Sequence, residues 1–311
     1  MPTTNLSNPS NASNASNASE ILDTLELRSE QACFGGVQRN YQHASVATGL
    51  PMAFSVYLPP QATDPARDPS LRVPAIIYLA GLTCTPETFM TKAGAQRLAA
   101  SLGLALIAPD TSPRGAGIAQ EAQSWDFGLA ASFYLDATQA PWSQHYRMES
   151  YLLQDLLPLL ASRLPIDGQR LGIMGHSMGG HGALTLALRH PDRFLSLSAL
   201  APICAPSQCP WGVKAFRGYL GEDPEAWAAH DASALMAQRD HALFAHGILV
   251  DQGLSDAFLT EQLHPQLFEA ACAKAGQPLT LRRHAGYDHG YYFISTFIED
   301  HLRHHAQQLV P

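Results

Sequence analysis

Apolar runs alternate with amphipathic segments along most of this chain. The runs that predict buried strands cover residues 73–80, 104–108, 171–174, 194–200, 245–250 and 279–283. Helical spacing of apolar residues predicts helices at 91–102 and 151–163, another directly after residue 179, and a last one after residue 290. Strands that alternate with helices in this way predict a mostly parallel central sheet flanked by helices.

The N-terminal region has a different pattern. Residues 1–20 repeat Asn-Ala-Ser and are too polar to bury a core, so we expect a disordered tail. Asn11, Asn14 and Asn17 match the glycosylation sequon, but the sequence shows no secretion signal that would expose them to this modification. Residues 31–45 and 52–58 then alternate apolar and polar positions, which predicts an antiparallel pair at the sheet edge.

The strand that begins at Leu171 runs directly into Gly175-His176-Ser177-Met178-Gly179, and a helical pattern follows. Gly-x-Ser-x-Gly between a strand and a helix is the nucleophile elbow of the α/β-hydrolase fold, which presents the serine hydroxyl at the sheet edge. The motif also occurs by chance in glycine-rich loops, but its flanks favour a nucleophilic Ser177. We therefore predict one α/β-hydrolase catalytic domain over residues 21–311, with the Met178 N–H as an oxyanion donor.

A second oxyanion donor is expected in the loop after the strand at 73–80. In α/β-hydrolases this donor follows the corresponding strand, which makes the Leu82 N–H the candidate. The alternative is that Gly81 only forms a turn, and the local sequence does not separate the two readings.

A serine nucleophile needs a base, and the base needs an orienting acid. In this fold the acid and the histidine follow the serine in chain order, each after a later strand. The strand at 245–250 leads to Asp251 and Asp256, and the strand at 279–283 leads to His289. We choose Asp256 because it lies in the turn that must reach across, whereas Asp251 lies at the strand terminus and is expected to fix the loop.

The remaining histidines are expected to be structural or solvated. His176 is interpreted as a packed neighbour of the serine, and His181 as a helix residue. His301, His304 and His305 have a spacing that permits metal binding on one helix face, but no carboxylate or cysteine motif completes such a site. We therefore predict no metal and no cofactor.

Composition limits the other classes of protein. The 311 residues are 46% hydrophobic with a formal net charge of −8, and the absence of a basic run argues against nucleic-acid binding. Five widely spaced cysteines without a Cys-x-x-Cys pair indicate reduced thiols and a cytoplasmic protein. No segment has the length and apolar character of a membrane span.

Two segments lack a regular pattern of apolar residues. Residues 120–150 are rich in aromatic side chains and are interpreted as part of a cap over the substrate site, although most of these side chains are expected to pack the loop. Residues 204–221 are interpreted as a second irregular segment.

Several long strings make the chain similar to the S-formylglutathione hydrolase (esterase D) family, over residues 30–309. They are Leu82-Thr83-Cys84-Thr85, residues 108–115, residues 124–128, residues 175–184, residues 201–204, Asp251-Gln252-Gly253 and Gly286-Tyr287-Asp288-His289. The resemblance implies hydrolysis of S-formylglutathione to formate and glutathione, the second step of glutathione-dependent formaldehyde detoxification. It also implies the triad Ser177, Asp256 and His289, a cysteine near the site at Cys84, and a homodimer.

A formyl group requires a small pocket, and Trp125 and Trp211 are the candidates that would exclude longer acyl chains. Glutathione carries two carboxylates, so an acidic protein needs local positive charge. The candidate cations are Lys92, Arg114, Lys214 and Arg217. A short-chain carboxylesterase or an acyltransferase would use the same triad, and a non-catalytic interaction protein on the same fold remains the alternative of another class.

Overall fold

A computed structural model describes residues 24–66 and 68–310. The predicted tail at 1–20 lies outside them. The strands are β1 (Glu26–Cys33), β2 (Gly36–Ala44), β3 (Pro51–Leu58), β4 (Val73–Leu79), β5 (Ala105–Pro109), β6 (Ile166–His176), β7 (Ser196–Leu200), β8 (Ile248–Gly253) and β9 (Leu279–His284).

The helices are α1 (Pro60–Thr63), α2 (Pro86–Lys92), α3 (Gln96–Leu102), α4 (Met148–Ser150), α5 (Leu157–Arg163), α6 (Met178–Arg189), α7 (Pro210–Leu220), α8 (Pro224–Ala228), α9 (Ala232–Ala237), α10 (Pro265–Ala275) and α11 (Tyr291–Leu309). A π-helical turn (Tyr151–Leu156) joins α4 to α5, and a second one (Leu259–Leu263) precedes α10. Short 3₁₀ turns lie at Trp142–Gln144 and Pro206–Gln208. Within residues 24–66 and 68–310, no helix is long and apolar enough to cross a membrane.

All strands of the described residues form one sheet in the order β1-β2-β3-β5-β4-β6-β7-β8-β9. The first three are antiparallel, β3 pairs antiparallel with β5, and the strands from β5 to β9 are parallel. Every residue of β4, β5 and β7 is buried, because helices cover both faces of the centre of the sheet. The predicted α/β-hydrolase architecture, a mostly parallel sheet flanked by helices, is confirmed.

The edge of the sheet differs from the prediction in one respect. The pattern at 31–45 is not one strand, because Phe34 and Gly35 turn the chain with positive φ angles of 46° and 76°. Three antiparallel strands therefore form the edge, where two were expected.

Two predicted helical regions also differ. The helix expected at 91–102 is two helices, because α2 starts earlier, where Thr85 and Thr88 form a capping box, and Gly94 then turns the chain with a φ of 70°. The segment at 204–221, expected to be irregular, contains α7. Its glycines lower helix propensity, but packing requires them: a Cβ on Gly212 would lie 2.0 Å from the Pro206 carbonyl oxygen, and one on Gly218 would lie 2.3 Å from the Phe127 ring.

Candidate active site

Ser177 occupies the turn between β6 and α6, and its backbone is strained. Its φ of 57° and ψ of −120° are rare for a residue with a side chain. Cβ atoms on Gly175 and Gly179 would lie 2.1 Å and 2.0 Å from the carbonyl oxygens of Gly179 and Leu79, so only glycine fits at either position. The tight packing of strand, turn and helix thus fixes the direction of the Ser177 side chain. Ser177 is only 3% exposed, so the hydroxyl is reached through a cavity and not from an open surface.

Asp256 and His289 lie on the loops after β8 and β9, and the structure brings them together. His289 Nδ1 lies 2.6 Å from Asp256 Oδ2. The same carboxylate accepts hydrogen bonds from the Gln252 side-chain amide (3.1 Å) and the Phe258 N–H (2.8 Å). A carboxylate at Nδ1 holds the proton on that nitrogen and leaves Nε2 as the acceptor, which is the tautomer a general base requires.

Two further rings hold the His289 imidazole. The His176 ring lies at a centroid distance of 4.5 Å, and the Phe258 ring packs edge-on at 5.0 Å. Burial, with the His289 ring as a second cause, keeps the pKa of His176 well below its ordinary value. His176 is therefore neutral near pH 7 and adds no competing charge beside the predicted base.

Ser177 and His289 line the same cavity, which has a volume of about 140 Å³. Its other walls are mostly apolar and aromatic. They consist of Gly81, Leu82, Cys84, Trp125, His176, Trp211, Phe258 and Tyr291. Three of the predicted pocket residues, Cys84, Trp125 and Trp211, thus lie in this wall. A cavity of this size that contains a serine and a histidine suits nucleophilic attack on a small acyl group.

Of the predicted oxyanion donors, Leu82 lines the same cavity as Ser177, and Met178 follows Ser177 directly in the chain. A Cβ on Gly81 would lie 3.2 Å from Ser177 Cβ, so the loop after β4 packs directly on the elbow. In the part of the chain that the structure describes, neither the Leu82 N–H nor the Met178 N–H donates to a protein acceptor. Both N–H groups are available for a bound ligand.

Three side chains fix the loop that carries Leu82. The Tyr134 hydroxyl donates to the Ala80 carbonyl at 2.9 Å, and both Thr111 Oγ1 (2.7 Å) and Arg114 Nη2 (3.1 Å) donate to the Cys84 carbonyl. Sequence analysis did not single out Tyr134. Its only signal was that it belongs to the aromatic segment at 120–150. Nothing else in that segment indicates which aromatic ring would reach the loop.

Phe258 and Tyr291 are the other site residues that sequence analysis missed. Each follows a predicted catalytic residue by two positions, and that proximity was the available signal. Tyr291 lies beside Cys84, and burial raises the pKa of the Cys84 thiol, which favours the protonated form.

The four candidate cations lie in different surroundings. Arg114 bonds Asp110 at 2.7 Å and 3.0 Å, Lys214 pairs with Asp126 and donates to Ser124, and Arg217 pairs with Glu222. Lys214 is not among the residues that line the cavity. Lys92 instead lies over the Tyr291 ring, with Nζ 5.6 Å from its centroid.

The three histidines of the last helix bond to protein groups. His301 bonds Ser198 Oγ (2.8 Å) and Asp251 (3.2 Å), His305 bonds Ser196 and Ser198, and His304 bonds the Leu197 carbonyl oxygen. Across residues 24–66 and 68–310, no group of three or more ligand side chains is arranged to hold a metal ion.

The fold and the serine elbow define a hydrolase of the α/β-hydrolase class. Residues 45–304 match the family model described as "Putative esterase". The S-formylglutathione hydrolase of Rattus norvegicus is 50% identical over 282 residues, which covers 90% of this chain and 97% of the relative. That of Paracoccus denitrificans is 49% identical over 91% of this chain and 98% of its own length.

A solved structure of an S-formylglutathione hydrolase from Agrobacterium tumefaciens is 44% identical, with a TM-score of 0.85 over 91% of this chain and 99% of that one. The chain belongs to the S-formylglutathione hydrolase family of esterases, and the resemblance inferred from sequence strings is thereby confirmed.

Proposed function

We propose that this protein hydrolyses S-formylglutathione to formate and glutathione, as a step of formaldehyde detoxification, with Ser177, His289 and Asp256 as its catalytic triad. The observation that carries the proposal is that Ser177 and His289 line the same small cavity, while Asp256 Oδ2 lies 2.6 Å from His289 Nδ1. The relatives named S-formylglutathione hydrolase support the choice of substrate.

In the first stage, His289 Nε2 takes the proton of the Ser177 hydroxyl as its oxygen attacks the thioester carbonyl. Asp256 stabilises the imidazolium that forms. The Leu82 and Met178 N–H groups bind the developing oxyanion. When the carbon–sulfur bond breaks, glutathione leaves as a thiolate, takes up the proton from His289, and leaves a formyl ester on Ser177.

In the second stage, His289 removes a proton from water as the water oxygen attacks the formyl ester. The carbon–oxygen bond to Ser177 breaks, Ser177 takes the proton from His289, and formic acid leaves and ionises to formate. The chain supplies nucleophile, base and oxyanion donors, and water is the second substrate, so the reaction requires no metal or cofactor.

Trp211 carries the proposed preference for a small acyl group, with Trp125 beside it. Trp211 is buried and packs on Phe258 at a ring distance of 4.7 Å, while Trp125 meets it edge-on at 5.4 Å and is 55% exposed. We expect the wild-type kcat/KM to be at least about tenfold higher for p-nitrophenyl acetate than for p-nitrophenyl octanoate. The longer acyl chain would overlap with the tryptophan side chains, and this should cost at least that factor. Trp211→Ala should narrow this ratio. Equal turnover of both esters by the wild type would contradict the assignment.

The second candidate activity is hydrolysis of short-chain carboxylesters, which the match to an esterase family favours. The ratio of kcat/KM for S-formylglutathione to that for p-nitrophenyl acetate separates the two. A ratio well above one is expected for the thioesterase, and a ratio below one would make the detoxification role wrong while leaving the triad intact.

We also propose a cytoplasmic homodimer. Its five cysteines, none of which is in a disulfide, support a reducing compartment, and dimerisation is what the family resemblance implies. Light scattering on the eluting peak of a gel-filtration column should give twice the chain mass of 33.6 kDa.

A further inference from the structure

The four candidate cations differ in whether a carboxylate already neutralises them. Arg114, Lys214 and Arg217 each pair with an acidic side chain. Lys92 is exposed and, within the described ranges, has no carboxylate within salt-bridge distance. The protein has a formal net charge of −8, so an ammonium without a carboxylate partner is a candidate for binding an anionic ligand.

Lys92 lies close to the cavity wall. It is the last residue of α2, and its ammonium lies 5.6 Å from the centroid of the Tyr291 ring, which lines the cavity. Its charge also acts to lower the pKa of Cys84, another lining residue, although burial outweighs it and the net shift is upward. The ammonium is thus near two wall residues and is open to solvent.

We propose that Lys92 is a specificity-determining residue that binds a carboxylate of the glutathione moiety. This inference rests on the proposed function. A thioester seated at Ser177 leaves the rest of the tripeptide to extend out of a cavity of only about 140 Å³. An extended residue spans up to about 3.5 Å, so a terminal carboxylate reaches past the cavity mouth. There the free charge of Lys92 is the complementary group.

Lys214 is less suited to this role. Its ammonium pairs with Asp126 and donates to Ser124 at 2.7 Å, so a substrate carboxylate would have to displace a carboxylate that is already bound. Lys92 loses no protein ion pair on binding, and its contact with the Tyr291 ring holds the side chain beside a residue that lines the cavity.

The test compares Lys92→Gln with the wild type on a charged and a neutral substrate. Loss of an exposed ion pair should raise KM for S-formylglutathione about two- to fivefold, with kcat unchanged. The KM for neutral p-nitrophenyl acetate should stay the same, and Lys92→Arg should restore most of the affinity. The matched control is Lys274→Gln, which removes the same charge from the last turn of α10 and should behave as the wild type.

An unchanged KM for S-formylglutathione in Lys92→Gln would overturn the proposal. Equal losses on both substrates would also overturn it, because they would indicate a structural role. Inhibition of p-nitrophenyl acetate hydrolysis by S-methylglutathione measures glutathione binding without thioester turnover. If the wild type does not hydrolyse S-formylglutathione, the proposed function fails, and the inhibition constant still decides on Lys92. An about two- to fivefold weaker inhibition of Lys92→Gln supports the carboxylate site, and equal inhibition rejects it.

Discussion

The molecule contains two aspartate–histidine pairs whose aspartates are close in the sequence. Asp256 bonds His289 at 2.6 Å at the edge of the sheet, and Asp251 bonds His301 at 3.2 Å beneath it. In each pair a carboxylate lies next to an imidazole, as a catalytic triad requires. The difference lies in what else each histidine contacts.

Both members of the Asp251–His301 pair also bond to other protein groups. Asp251 accepts two bonds from Arg282, at 2.5 Å and 2.6 Å, and His301 uses its other nitrogen on Ser198. His289, in contrast, has no protein partner for Nε2 among the described residues, and that nitrogen belongs to a ring that lines the cavity. A second nitrogen without a protein partner, in a ring that lines the same cavity as Ser177, therefore separates a candidate base from a structural histidine.

The buried pair is part of a longer network that crosses the sheet. Ser198 also bonds His305, and His305 bonds Ser196 at 2.6 Å. A Cβ on Gly172 would lie 2.6 Å from His305 Nδ1, so glycine is what admits this ring. The network joins β7, β8 and β9 to α11. The loop after β8 carries Asp256, and the loop after β9 carries His289. Its expected contribution is to the free energy of unfolding.

The largest expected effect is on activity, at Asp256. Asp256→Asn should lower kcat about 10⁴-fold, because the amide favours the wrong tautomer of His289. The free energy of unfolding should change little by comparison. Asp288→Asn is the matched control, since Asp288 adjoins His289 in sequence but accepts from the Gly290 N–H, and it should cost less than about tenfold in kcat. Similar losses in both variants would contradict the assignment of Asp256.

The second effect is on stability, at Asp251. Asp251→Asn leaves Arg282, His301 and His284, whose Nε2 lies 3.2 Å from the carboxylate, without their buried partner and should lower the free energy of unfolding by about 3–5 kcal/mol in urea titrations. Activity per folded molecule should stay within about tenfold of the wild type. Asp240→Asn, at a 94% exposed side chain, should leave the stability unchanged. A loss of activity as large as that of Asp256→Asn would contradict a purely structural role of Asp251.

The smallest effect is the pH dependence of the buried network. Burial, with His304 and His301 as further causes, keeps the pKa of His305 well below its ordinary value, so the native protein resists a proton that the unfolded chain accepts. The free energy of unfolding that neutral His305 contributes is fully present above about pH 6.5. Below that pH it should fall by up to about 1.4 kcal/mol per pH unit, and each further histidine whose pKa is lowered by burial should add a similar loss. The pKa of Asp251 is also lowered, by its bonds to His301 and Arg282 against the opposing effect of burial, so a further loss is expected below about pH 4.

Urea titrations at pH 7.5, 6.5 and 5.5 measure this dependence. A free energy of unfolding that stays constant from pH 7.5 to pH 5.5 would contradict it.

The central strands and the elbow could be predicted because their signals are local. Apolar runs flanked by glycine locate β4 and β6, and the chain order of serine, aspartate and histidine is the basis on which Ser177, Asp256 and His289 are proposed as the triad. The choice of Asp256 over Asp251 followed from loop position, and the structure shows the contacts of both.

The rest depends on contacts between distant segments. Helix α7 was missed because Gly212 and Gly218 are poor helix formers, and only their contacts with Pro206 and Phe127 show why glycine is required there. The pairing of Lys214 with Asp126 joins residues 88 positions apart. No local pattern could therefore tell which of the four cations is free.

The most direct test of the account is hydrolysis of S-formylglutathione by the purified protein beside Ser177→Ala, at equal concentrations of folded enzyme. We expect a wild-type kcat/KM of about 10⁵ M⁻¹s⁻¹ or more, and at least about a 10⁴-fold loss in the variant. A variant that keeps more than about a tenth of the wild-type rate would contradict Ser177 as the nucleophile.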